Sequence, residues 1–161
     1  MKTTTLFSLG ALVALAAVNT ASAQTATQTV TFQVSAINQI AVTGAPSLVI
    51  NAAVAGSAPT SVTSAANTWS VTTNQSTAMI TASIPLAMPA GLTLSANLTA
   101  PAGATSTGLT ALGTVAVNVV TGITKLNAAA LGLTYQLDAT AAAGVVGSAT
   151  RVVTYTITGG V

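Results

Sequence analysis

The chain has 161 residues, only three of them Lys or Arg and one of them acidic, and it contains neither His nor Cys. Triad-type nucleophilic sites need a base such as His, glycosidase-type hydrolysis needs two acids, and zinc needs Cys, His or several carboxylates. This composition therefore argues against an enzyme and predicts no cofactor and no metal. Nucleic-acid binding needs a cluster of Lys and Arg, which the chain also lacks.

The first 23 residues predict a secretory signal peptide. Lys2 supplies the amino-terminal positive charge, residues 6–18 are a short apolar stretch, and the small residues Ala21 and Ala23 mark a cleavage site. The apolar stretch is shorter than the ~20 residues that span a bilayer, and no later segment is long enough either. We expect a mature chain that begins at Gln24, without a membrane span, secreted to the exterior or the cell surface, with the periplasm as the alternative.

Residues 24–161 are expected to form one domain in which only Lys125, Asp138 and Arg151 are charged. Thr and Ser take the place of charge, and Thr favours strands. We interpret Asp138 as a turn-capping residue beside Thr140, with pairing to Lys125 or Arg151 as the alternative. An uncharged surface of this kind does little to prevent self-association.

The first predicted strand covers residues 29–36, where Val30, Phe32 and Val34 alternate with polar residues. We favour the interpretation that it is the first strand of the protein's own sheet, because amino-terminal strands are commonly held there. The alternative is an edge or donor strand that leaves one molecule and completes the sheet of the next.

Further strands are predicted, in chain order, at residues 39–43, 47–51, 68–73, 79–84, 92–99, 114–120, 131–138 and 151–158. Residues 52–66 and 139–150 are predicted to be exposed loops, and residues 126–131 are the one place for a helical turn. Seven to nine short strands separated by turn residues predict an all-β, Ig-like antiparallel β-sandwich after the signal peptide. A closed barrel is the alternative.

Trp69 is the only Trp in the chain. Its ring is a candidate for stacking on a sugar, although carbohydrate sites normally combine several aromatic residues, and this chain has few. We therefore favour a place for Trp69 in the hydrophobic core.

Three stretches carry a resemblance to known proteins. They are Thr68-Trp69-Ser70-Val71-Thr72, the turn and strand Pro89-Ala90-Gly91-Leu92-Thr93-Leu94, and the final Val152-Val153-Thr154-Tyr155-Thr156-Ile157-Thr158. Together they resemble small secreted bacterial surface domains of the WxL, spore-coat-U and fimbrial-subunit kind. The resemblance implies an Ig-like sandwich with a role at the cell surface or in a filament.

These observations favour a secreted, non-enzymatic structural protein. We expect a subunit of an extracellular filament, pilus, coat or surface layer that assembles through strand edges, with itself or other cell-surface components as partners. The alternative is a monomeric secreted adhesin or carbohydrate-binding module.

Overall fold

The computed structural model describes residues 22–160, and the chain divides into two units, Met1–Gln33 and Val34–Val161. Nearly all of the predicted signal peptide, including Ala21, lies outside the described residues, whereas Ala23 and Gln24 are described and exposed. Residues 22–160 include no helix with the length and apolarity required to cross a membrane.

All ten strands found within residues 22–160 belong to the second unit. In chain order they are β1 (Asn38–Thr43), β2 (Val62–Thr63), β3 (Asn67–Thr73), β4 (Ala78–Ser83), β5 (Leu92–Leu98), β6 (Thr105–Ser106), β7 (Thr110–Ala111), β8 (Val117–Ile123), β9 (Leu126–Ala139) and β10 (Thr154–Thr158). One short 3-10 turn, Ala141–Ala143, lies between β9 and β10.

The strands form two sheets, and every pairing is antiparallel. The first sheet has the order β1-β3-β9-β5-β7, with β2 also paired to β9, and the second has the order β10-β4-β8-β6. Buried side chains of both sheets form a single core cluster. The predicted all-β antiparallel sandwich is thus confirmed, because each sheet turns one apolar face to that core.

The core consists of aliphatic side chains, Trp69 and Tyr135. Its largest fully buried members are Trp69, Ile80, Ile84, Leu98, Val119, Val120, Ile123 and Leu133. Full burial of such side chains contributes about 1.5–3 kcal/mol each. Since the chain has no disulfide, this core and the sheet hydrogen bonds hold the fold.

The long strand β9 is the centre of the first sheet. Its first half pairs with β3 and its second half with β5, so the predicted helical turn at residues 126–131 is wrong. Ala and Leu favour helices in isolation, but pairing with β3 outweighs that weak preference. A register shift opposite Trp69 and Val71 accommodates Ala130, whose φ is 54°.

The structure also differs from the predicted strands elsewhere, and β6 and β7 lie where no strand was predicted. Residues 29–36 form no strand, and the sheet begins instead with β1. Residues 47–51 lack ladder pairing, and the predicted loop 52–66 contains β2. Alternation of apolar and polar residues indicates that a segment can cover an apolar face, but it does not identify the strand with which the segment pairs.

Candidate functional site

The edge strands β1 and β10 form one open side of the sandwich, and β7 and β6 are the edge strands at the other ends of the two sheets. Within residues 22–160 each has one ladder partner, β3 for β1 and β4 for β10, and the two strands contact each other. Their sequences, NQIAVT and TYTIT, contain no charge and no Pro. Both edges therefore keep unpaired backbone groups without the charged residues that usually prevent strand addition.

The apolar side chains along this open side are incompletely covered. Ile40, Tyr155 and Ile157 pack against the core but are only partly buried, and Val42 is 46% exposed. In the central strands the equivalent side chains are fully enclosed, as the 0% exposure of Ile80 shows. A further strand with apolar residues at alternate positions would cover these side chains.

A cleft of about 350 Å³ with a mixed polar and apolar lining, which we call the edge cleft, lies beside β9 and just before β10. It is lined by Pro46, Leu48, Met88, Leu94, Tyr135, Leu137, Ala149, Thr150, Arg151 and Val153. Arg151 is the one charged residue of this lining. Its Nε and Nη2 donate to the Ala87 carbonyl at 3.3 and 3.1 Å, and its Nη1 donates to the Thr150 carbonyl at 2.8 Å. The guanidinium thus fixes the wall of the cleft.

Two tyrosines join the sheets close to the edge cleft. The Tyr155 hydroxyl on β10 donates to the Tyr135 hydroxyl on β9 at 3.0 Å. Burial raises the pKa of both phenols; the shared hydrogen bond raises the pKa of Tyr155 further and lowers that of Tyr135. Because both groups are favoured in the protonated form when folded, the pair links the two sheets most firmly below the pH at which phenols ionise.

We expect stability to change little between about pH 4 and 9, since the chain has one acidic side chain and no His. Above about pH 10 the unfolded chain loses its phenolic protons first, so the free energy of unfolding falls as pH rises. Urea unfolding at pH 8 and pH 11 measures this fall. In Tyr155→Phe the fall should be smaller, and an unchanged fall would show that the tyrosine pair is not its source.

A third feature, the Asn74 clamp, holds the backbone immediately before β1. The Ile37 amide donates to Asn74 Oδ1 at 2.8 Å, Asn74 Nδ2 donates to the Ser35 carbonyl at 2.7 Å, and the Asn74 amide donates to the Ile37 carbonyl at 3.2 Å. The Gln75 side-chain amide also donates to Asn74 Oδ1 at 2.9 Å, which fixes the orientation of the Asn74 amide.

The apolar residues that the sequence assigned to a donor or edge strand are exposed. Val30 is 71%, Phe32 90% and Val34 79% exposed, and residues 29–36 have no ladder pairing. Val30 and Phe32 belong to the first unit and Val34 to the second. Within the first unit, Val30 and Phe32 are thus two large apolar side chains exposed at alternate positions.

The remaining candidate residues from the sequence lie in the core, in a hydrogen-bond network or in a turn. Trp69 has 0% exposure, so its ring offers no stacking surface, and its Nε1 lacks a hydrogen-bond partner among residues 22–160. Asp138 accepts hydrogen bonds from Ser61 and Gln136, rather than capping Thr140 or pairing with Lys125 or Arg151. Lys125 lies in the exposed turn between β8 and β9.

Sequence reasoning missed Asn74 and the wall-forming role of Arg151. Asn74 follows directly after β3, and no local sequence motif indicates that its side-chain amide bonds to a residue 39 positions earlier. The alternation of apolar and uncharged polar residues at 29–36 was the one sequence pattern that pointed to the exposed segment before β1.

No protein-family model, no curated protein and no solved structure matches this chain.

Proposed function

We propose that the protein is a secreted, non-enzymatic structural subunit of an extracellular filament, pilus, coat or surface layer. In this proposal residues 25–36, the N-terminal segment, leave one copy and pair with the open side of another. The observation that carries the proposal is the exposure of Val30, Phe32 and Val34 in a chain whose edge strands β1 and β10 have incompletely covered apolar side chains.

The chemistry of the two surfaces is matched. The N-terminal segment has no charged residue, and neither have β1 and β10, so no ion is buried when they meet. Alternate apolar residues on an added strand face one side, which is what the partly buried Ile40, Tyr155 and Ile157 require. Main-chain pairing supplies the affinity in such strand addition, and the side chains supply the register.

The free energies involved indicate that assembly needs both the burial of apolar side chains and main-chain pairing. Burial of three apolar side chains contributes roughly 5–9 kcal/mol, against an association cost of about 4–15 kcal/mol. Each new main-chain hydrogen bond adds about 0.5–1.5 kcal/mol. We therefore expect stable assembly only when the segment pairs along most of its length.

A monomeric adhesin or carbohydrate-binding module is the second candidate. The edge cleft supports it, since a concave site in which apolar side chains lie beside a few polar ones such as Thr150 and Arg151 is typical of small-ligand sites. The burial of Trp69 counts against sugar stacking by that ring.

The proposal is tested with the mature chain, residues 24–161, by negative-stain microscopy and by gel electrophoresis without heating. We expect polymers that vanish when residues 24–36 are deleted, and a deletion variant that takes up an added peptide of residues 24–36. The matched control is the same peptide with Phe32→Asp, which should not bind. Clean monomers at high concentration, or polymers that survive the deletion, would refute the proposal.

A further inference from the structure

The Arg151 guanidinium carries a positive charge at the wall of the edge cleft without an acidic partner. The chain has one acidic side chain, Asp138, and its carboxylate accepts hydrogen bonds from two neutral side chains instead. Among residues 22–160, the Arg151 side chain bonds only to the carbonyls of Ala87 and Thr150. Carbonyl oxygens carry partial charge, so no full negative charge balances the guanidinium there.

The guanidinium also keeps donors for a ligand. It has five N–H groups, and its three hydrogen bonds to backbone carbonyls use one each on Nε, Nη1 and Nη2. One N–H on each terminal nitrogen is therefore left without a protein acceptor within residues 22–160. Two donors on one planar group match the two oxygens of a carboxylate. Because the backbone carbonyls already hold the guanidinium, little side-chain entropy is lost when a carboxylate binds.

The rest of the edge cleft places aliphatic side chains next to this cation. They are Leu48, Met88, Leu94, Leu137 and Val153. The volume of about 350 Å³ is that of a small-ligand site. A neighbouring groove of about 810 Å³ shares part of this lining, so an elongated ligand has room beyond the cation. The whole lining belongs to the second unit.

We propose that the edge cleft binds a small aliphatic carboxylate of the medium-chain fatty-acid class, with its carboxylate on Arg151 and its chain beside Leu48 and Met88. A neutral sugar would leave the Arg151 charge unmatched, and a polyanion such as nucleic acid needs a cluster of cations. A lining of mixed polarity suits a ligand with one charged end and an apolar body. This inference goes beyond the proposed function and does not depend on it.

Calorimetric titration of the mature chain, residues 24–161, with sodium octanoate tests the assignment at a protein concentration below that at which polymers form. We expect one site, and at least tenfold weaker binding by Arg151→Gln, since two charge-assisted hydrogen bonds are lost. The matched control is Lys125→Gln, which removes the same charge from the exposed turn between β8 and β9 and should leave the affinity unchanged.

Two further probes separate the charged end of the ligand from its chain. Acetate has the carboxylate without the chain, and octanol has the chain without the carboxylate. Each should bind at least tenfold more weakly than octanoate, because each loses one of the two contributions. Octanol that binds as tightly as octanoate would remove Arg151 from the site and overturn the inference.

Nuclear magnetic resonance of the unaltered chain decides the matter if Arg151→Gln does not fold. Octanoate should shift the methyl signals of Leu48, Met88 and Val153. Shifts confined to other residues, the exposed Val30 included, would overturn the inference, as would the absence of octanoate binding. Equal affinity of Arg151→Gln and the unaltered chain, or an equal loss in Lys125→Gln, would also overturn it. Polymer formation enters none of these measurements, so failure of the proposed function is recognised separately by microscopy.

Discussion

Replacing Phe32 with aspartate is expected to lower polymer formation by the mature chain about a hundredfold or more while leaving the ten-strand fold intact. Phe32 is 90% exposed in the single chain, so the fold does not depend on it. On assembly, however, the substitution removes about 2–3 kcal/mol of apolar burial and places an unpaired carboxylate against an apolar surface. Sedimentation of polymers at matched protein concentrations measures the effect.

Gln33→Asp is the control for that experiment. It introduces the same charge one residue later, on the opposite face of an extended strand. We expect it to retain most polymer formation, because residue 33 would face solvent when Val30, Phe32 and Val34 are covered. Equal loss in both variants would mean that net charge, and not the apolar face of the segment, controls assembly.

Trp69→Ala is expected to reduce the free energy of unfolding by about 3–5 kcal/mol. The ring is completely enclosed between the sheets, so its removal loses apolar burial and leaves a cavity that rigid strands cannot close. A domain of this size is stabilised by about 5–15 kcal/mol in all, so the variant should be marginally folded. Urea unfolding followed by circular dichroism measures the change.

Two companion variants separate the contributions. Trp69→Phe should cost less, roughly 1–2 kcal/mol, because it also removes the buried Nε1–H that has no partner among residues 22–160. Val49→Ala, at a residue that is 64% exposed and outside the strands, should change stability by less than about 0.5 kcal/mol. Similar stability of Trp69→Ala and the unaltered chain would contradict the place of Trp69 in the core.

The interior strands were predictable from the sequence because both of their faces are determined locally. In β5 the apolar Leu94, Ala96 and Leu98 are buried and Thr93 and Asn97 are exposed, although Ser95 is buried as well. In β9 the alternation holds for Leu133 and Tyr135, which are buried, whereas Leu137 is only partly buried, like its polar neighbours. Trp69 was likewise assigned to the core on the scarcity of large residues alone, and it is fully buried.

The edges were less predictable, because their structure depends on what lies beside them. Residues 29–36 alternate as clearly as β5, yet they have no ladder pairing, since pairing needs a partner edge that alternation does not specify. Residues 126–131 show the reverse case. Their composition favours a helix, but they form part of strand β9 because they pair with β3.

The parts of the candidate site that sequence could not show are contacts between distant residues. The Asn74 clamp spans 39 residues, and the Arg151 guanidinium reaches a carbonyl 64 residues away. Both use ordinary polar side chains to hold backbone groups, and no local pattern distinguishes such residues from solvated ones.

Hydrogen exchange of the mature chain over a range of concentrations tests the central claim most directly. If the N-terminal segment of one copy adds to the open side of another, the amides of residues 29–36 should be unprotected in dilute protein and become protected as concentration rises. Amides on the free edges of β1 or β10 should gain protection in parallel. Residues 29–36 that remain unprotected at every concentration, including those at which polymers form, would contradict the claim.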